Sequence, residues 1–121
     1  LPPAQAAAAK AAFEVILDEP ERVDILRRNA SQFMGGLKQL GFDTMKTSTA
    51  IVPVLCGEDE RAFQMVQQCQ HRDIFVLPVV SPAVPQGLAR LRATVTAGHS
   101  SQEIERALDV FETAGKEIGI I

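Results

Sequence analysis

GLARLRATVTAGHSS, running from Gly87 to Ser101, alternates apolar and polar residues over most of its length. Successive side chains of a strand point to opposite faces, so Ala89, Leu91, Ala93, Val95 and Ala97 share one face. Arg90, Arg92, Thr94 and Thr96 share the other. The pattern predicts a strand with one face on a core. Two arginines on the outer face admit two readings. Either they are the charges of a solvated strand, or they clamp an anion, because a guanidinium fork fits a carboxylate or phosphate in two-pronged contact. The setting favours the clamp: SPAVPQG, with two prolines expected to hold the chain extended, precedes the strand, and a helix start follows it. Pattern alone leaves both readings open.

Past the strand, Ser100 and Glu103 stand in the S-x-x-E spacing of a capping box. Ile104, Leu108, Phe111, Gly115 and Ile118 then lay an apolar stripe along a terminal helix. His99 has no acidic or cysteine neighbour in sequence, so it reads as a local partner of the helix start rather than a catalyst.

Upstream, DIFVLPVV, residues 73–80, is apolar on both faces and predicts a central strand. Residues 58–71 predict a helix that begins in acids favourable to its N-terminal dipole. FDTMKTSTAIVPVLCG, residues 42–57, predicts a short strand, a polar turn at Thr47–Thr49 and a strand over Ala50–Leu55, with Pro53 marking an edge or a bulge. Before it, Val23, Leu26, Ala30, Phe33, Leu37 and Leu40 are spaced 3, 4, 3, 4, 3 in a helix opened by Pro20 and stopped by Gly41. Gly35 and Gly36 lie inside that helix, where each costs up to about 1 kcal/mol relative to alanine. They predict a close packing contact. Ala4–Leu17, after Pro2 and Pro3, predicts a first helix ending near Asp18. The expected fold is α+β: a small, mostly antiparallel sheet with helices on one face, preceded by two helices. Residues 1–41 are the leading helices and 42–121 a small α+β domain.

The chain has 121 residues, a net charge of −3 and 46% hydrophobic residues, which suits one folded domain rather than two. Its cations are scattered and it has no Trp or Tyr, so no basic stripe or stacking platform for nucleic acid is present. Cys56 and Cys69 lack the spacing of a redox or zinc pair and read as buried thiols of a reducing compartment. No apolar run approaches the roughly 20 residues of a membrane span. The opening LPPAQAAAAKAAF also lacks the basic start of a signal peptide. The expected location is cytoplasmic, with neither nucleic acid nor membrane as partner. Starting at Leu1 rather than Met, the chain is expected to be a piece of something longer. No nucleophilic triad, metal cluster or phosphate-binding glycine loop can be assembled, and Lys10, Lys38, Lys46 and Lys116 sit in polar contexts.

AIVPVLCGEDERA, followed by DIFVLPVVSPAVPQGLARLRATVTAGHSSQEIERALDVFETAGKEIGII, resembles the C-terminal end of the α-oxoamine synthases. These are pyridoxal-phosphate enzymes of fold type I, and include glycine C-acetyltransferase and 8-amino-7-oxononanoate synthase. The likeness rests on four parts in order: I-x-P-V on a strand, a P-x-V-P loop, an R-x-R strand, and T-A-x-H before the last helix. LPPAQAAAA is similar to the segment that ends the family's large domain. SPAVPQGLARLR and AGKEIGII lean towards the glycine acetyltransferase branch.

The resemblance implies decarboxylative condensation of a small amino acid with an acyl-CoA, in a homodimer whose active sites lie between subunits. It implies that Arg92, as the second arginine of R-x-R, binds the α-carboxylate of the amino acid, with Arg90 in support and Ser81 to Pro85 lining the approach. The residues that hold pyridoxal phosphate belong to the family's large domain and are not among these 121, so the resemblance implies that this chain alone does not turn over. The alanine-rich first helix would pack on that domain. Two alternatives stay open: a freestanding regulatory α+β module that binds a small carboxylate through the same arginines, and a structural piece whose arginines are surface charges.

Overall fold

The computed structural model describes residues 1–121. Its elements are helices α1 (Pro3–Asp18) and α2 (Glu21–Leu40), strand β1 (Ile51–Gly57), helix α3 (Asp59–Gln70), strands β2 (Leu77–Val79) and β3 (Ala89–Thr94), and helix α4 (Ser101–Ile118). The three strands form one antiparallel sheet in the order β1-β3-β2. Helix α3 lies against all three strands, α2 touches β1, and α4 packs on α2 and α3. This is the expected α+β architecture, with helices on one face of an antiparallel sheet.

Each element follows from local chemistry. Gly41 ends α2 in the left-handed conformation, φ 102°, as a C-terminal glycine should. Ser100 caps α4 by accepting a hydrogen bond from the Glu103 N–H at 3.1 Å. Asp59 and Glu60 occupy the first turn of α3. Of the two glycines inside α2, Gly36 makes the predicted close contact: a Cβ there would run into the Leu108 side chain of α4. Gly35 faces open space.

Three expectations about the sheet need correcting. Residues 42–46 do not form a strand. Asp43 Oδ1 accepts the Met45 N–H at 2.8 Å and Met45 turns left-handed, φ 56°, so the extended run breaks after one backbone bond, from Leu55 N–H to the Asp43 carbonyl. Residues 73–80 are not a central strand either. Only Leu77–Val79 pair, as an edge, and Phe75 is 79% exposed. The proline-bearing strands β1 and β2 take the edges, because Pro53 and Pro78 have no N–H to donate on a second side. The proline-free β3 takes the centre. Third, the loop between β2 and β3 is not extended: Val80 accepts from the N–H groups of Ala83 and Val84, and Pro85 from Leu88, in successive turns.

The core lies between sheet and helices. Val52 and Val54 of β1, Leu91 and Ala93 of β3, Met65 and Cys69 of α3, and Phe33, Leu37 and Phe111 of α2 and α4 are all buried in it. Phe111 sits between Phe33 and Phe42 in edge-to-face pairs at 5.6 and 6.1 Å. Of the predicted α4 stripe, Ile104, Phe111 and Gly115 are buried, while Leu108 and Ile118 are partly so. Gly115 is held small by its neighbours, since a Cβ there would lie 2.5 Å from Phe42 Cζ and 3.1 Å from Ile121 Cγ1. Gly115→Ala is therefore expected to destabilise the fold by about 1–3 kcal/mol of overpacking, despite alanine's better helix propensity. Chemical denaturation checks this, and a variant as stable as wild type would show that Phe42 yields freely.

Helix α1 buries none of its residues. Phe13, Ile16 and Leu17 are exposed on it at 68%, 49% and 78%. No helix is long and apolar enough to cross a membrane.

Candidate functional site at the arginine strand

The alternation read from the sequence holds in space. Ala89, Leu91, Ala93 and Val95 are buried under the helices, while Arg92, Thr94 and Thr96 are exposed and Arg90 is half-buried. The outer face of the sheet has no helix over it. On that face the lateral neighbours of Arg92 are Pro53 on β1 and Leu77 on β2; those of Arg90 are Leu55 and Val79. A solvated strand commonly sets an opposite charge across from each cation. Here every cross-strand neighbour is apolar.

The guanidinium groups are also not consumed internally. Six cations of the chain are in ion pairs, among them Arg72 with Glu117 and Arg106 with Asp73. Neither Arg90 nor Arg92 is one of them. Arg90 Nε donates to the carbonyl of Leu88, the residue just before β3, at 3.1 Å, which fixes that side chain. Arg92 makes no side-chain hydrogen bond within the chain, so its whole fork is free for a ligand.

Two clefts meet at Arg92. One, of about 390 Å³, lies on the outer face, where Arg90 and Arg92 are joined by Lys46, Thr47, Thr49, Ile51, Pro53 and Val79. The other, of about 530 Å³, opens where residues 73–76 diverge from β3: Ile74, Phe75, Leu77, Ile104 and Phe111 give it an apolar wall, and Asp73, Arg92, His99, Glu103 and Arg106 line it with them, with Asp73 paired to Arg106. Ser81 to Pro85 line neither cleft. No group of three or more His, Cys, Asp or Glu side chains is placed to hold a metal ion.

The turn that ends β3 is tied down by a residue sequence reasoning passed over. Asn29, buried on α2, donates from Nδ2 to the carbonyls of Thr96 at 3.1 Å and His99 at 2.8 Å. His99 Nδ1 in turn accepts the Thr96 N–H at 3.0 Å, which is the local bonding expected of it. An amide interrupting the apolar stripe of α2 between Leu26 and Phe33 was the available signal. Lys46 was also passed over, because nothing in sequence shows that its loop folds against β3.

Both cysteines are buried free thiols, as expected. Burial pushes Cys56 up to about 12 and Cys69 to about 11. Thiolate is the reactive form, so at pH 8 neither is expected to react with a disulfide reagent until the protein is unfolded, when both should. The raised values also favour the fold below pH 9, an advantage lost as pH rises through 11 to 12. Rapid labelling of either thiol in the native protein would contradict this burial.

Residues 1–111 match the sequence profile of the aminotransferase class I and II family. The chain belongs to that family. It is 40% identical over 120 residues to 8-amino-7-oxononanoate synthase of Symbiobacterium thermophilum, covering 99% of this chain and 31% of that protein. It is 41% identical over 120 residues to a Thermus thermophilus protein named 8-amino-7-oxononanoate synthase/2-amino-3-ketobutyrate coenzyme A ligase, covering 99% of this chain and 30% of that one. Among solved structures, serine palmitoyltransferase of S. paucimobilis, with PLP and myriocin bound, superposes with a TM-score of 0.92 at 32% identity over 100% of this chain and 31% of that one. The chain thus spans about a third of the length of these relatives. They lie within the α-oxoamine synthase group to which the sequence motifs pointed.

Proposed function

We propose that these 121 residues serve as the small domain, with its leading helices, of a pyridoxal-phosphate-dependent α-oxoamine synthase, and that Arg92 anchors the carboxylate of its amino-acid substrate. The observation that carries this is the state of Arg92: a free guanidinium on the central strand, flanked by Pro53 and Leu77 and with no acid of this chain bound to it. Relatives named as a synthase, a coenzyme A ligase and a palmitoyltransferase, the last with PLP bound, support the reaction class.

The chain's own residues do not amount to a cofactor site. Lys10 and Lys116 pair with acids on their own exposed helix faces. The outer-face cleft has no carboxylate for a pyridine nitrogen. The cofactor would be held by residues outside this chain, with 42–121 as the small domain and 1–41 leading from a larger one. Pyridoxal phosphate, when bound, supplies the electron withdrawal that lets an amino acid lose its carboxyl group and accept an acyl group.

What this chain supplies is position. Two parallel N–H···O contacts from Arg92 fix both carboxylate oxygens, and with them the orientation of the bond to be broken. With Pro53 and Leu77 as its lateral neighbours, the fork meets no competing polar partner across the strands. Arg90, tethered to the Leu88 carbonyl, supports the same field at a distance. The acyl partner would be a thioester such as acyl-CoA, and the working unit a homodimer in the cytoplasm.

The test is a titration of the cofactor absorbance of the complete protein with glycine, alanine and serine, in wild type and Arg92→Ala. A spectral change that saturates in wild type and is strongly weakened in the variant supports the anchor and identifies the amino acid. A protein with no cofactor spectrum, or a titration indifferent to Arg92, overturns the reading and favours a carboxylate-binding module or a structural piece.

A further inference from the structure

Strand β3 has a partner on both sides only as far as Arg92. Its pairing with β2 ends at Leu77 and Arg92, whereas its pairing with β1 continues to Ile51 and Thr94, followed by a bond from the Val95 N–H to the Ala50 carbonyl at 2.9 Å. On the side that β2 leaves, residues 93–96 border the cleft of about 530 Å³ rather than a strand. A strand end supported along one edge frays more readily than one paired on both. Here side chains hold it. Asn29 Nδ2 donates to the carbonyls of Thr96 and His99, at 3.1 and 2.8 Å, and His99 Nδ1 accepts the Thr96 N–H at 3.0 Å. Asn29 is itself fixed, being 4% exposed on α2, which packs on α4. A buried amide is destabilising unless its hydrogen bonds are made, and this one gives both to a single turn. Its amide ties the end of β3 to the helical layer, as a longer β2 would have tied it to the sheet. Asn29 lines neither cleft, so any effect it has on a bound substrate passes through β3.

We propose that Asn29, with His99 as its local partner, is a positioning residue for the Arg92 fork: by pinning the chain four residues beyond the arginine, it sets the direction in which the guanidinium meets the carboxylate. The inference rests on the functional reading above and names a residue on which that anchor depends. A two-pronged contact is directional, so a fork displaced by about 1 Å keeps its charge attraction but loses alignment, which costs up to about a hundredfold in rate. Loosening the turn should therefore lower kcat more than it raises KM for the amino acid.

Steady-state kinetics of the complete, cofactor-loaded protein over amino-acid concentration is the measurement, in wild type, Asn29→Ala, Arg92→Ala and the double variant. Asn29→Ala is expected to lower kcat about tenfold while changing KM less than about threefold. When Arg92 is already alanine, Asn29→Ala should change kcat/KM by less than about twofold, because the fork it positions is gone. Wild-type kinetics in Asn29→Ala, or losses that multiply in the double variant, overturn the inference and leave Asn29 a purely structural tie. Should Asn29→Ala fail to fold, His99→Ala and His99→Asn decide, since each alters the same turn from a half-buried side chain. An asparagine Oδ1 can accept the Thr96 N–H in place of Nδ1, so His99→Asn should keep wild-type kcat while His99→Ala loses about threefold, again only with Arg92 present. Equal behaviour of the two His99 variants overturns the inference. If Arg92→Ala is itself indistinguishable from wild type, the functional reading has failed; if Arg92 matters and the turn does not, the inference alone has failed.

Discussion

Arg92→Ala is expected to lower kcat/KM for the amino-acid substrate of the complete protein by roughly a hundredfold or more, with the fold unchanged. Hydrogen bonds to a charged group contribute about 1.5–3 kcal/mol each, and losing a two-pronged pair at about 3 kcal/mol corresponds to somewhat over two powers of ten. The stability of the fold should not follow, because the side chain is exposed and makes no internal bond. Arg92→Lys separates charge from geometry. A lysine keeps the charge but offers a single point contact, so it should recover affinity in part and orientation poorly, with kcat more depressed than KM. Full rescue by lysine would mean that Arg92 supplies only a field. Arg90→Ala is expected to have the smaller effect, since its Nε is already given to the Leu88 carbonyl.

The largest effect on stability is expected from Phe111→Ala. The ring is fully buried where α2, α4 and residue 42 converge, at 5.6 Å from Phe33 and 6.1 Å from Phe42, both edge-to-face. Removing a buried phenyl costs about 3–5 kcal/mol through lost burial and the cavity left behind. The two aromatic partners place this site towards the upper end of that range. Phe111→Leu fills most of the volume and should cost about half as much or less. Urea denaturation of both variants decides the matter. A loss below about 1 kcal/mol in Phe111→Ala would show that the three-ring cluster closes over the gap.

Much of this was legible because the signals are short-ranged. The turn chemistry of Gly41, the cap at Ser100, the apolar stripe of α2 and the alternation along β3 each depend on neighbours within a few residues, and each is found where the sequence puts it. The candidate site was half legible. Period two placed Arg90 and Arg92 on one face, and the R-x-R and T-A-x-H spacing pointed to a family. Lys46 was not legible, because it reaches the arginines only after residues 42–50 fold back beside a strand over forty residues away in sequence. The run at 73–80 misled because its apolarity on both faces resembles that of a central strand, while Pro78, with no N–H to donate, confines it to an edge.

By itself, then, the sequence determined the four helices and where they stop, the strands that carry Pro53 and the two arginines, and which face of the arginine strand is dry, since these follow from backbone stereochemistry and periodicity. Only the tertiary structure decided that β3 is central, that Asn29 ties the turn after it, and that no acid answers Arg92 or Lys46. Pairing order depends on which N–H groups remain free after two prolines are placed, and charge compensation depends on what the closed chain brings within a few ångströms. Neither is a property of any short stretch.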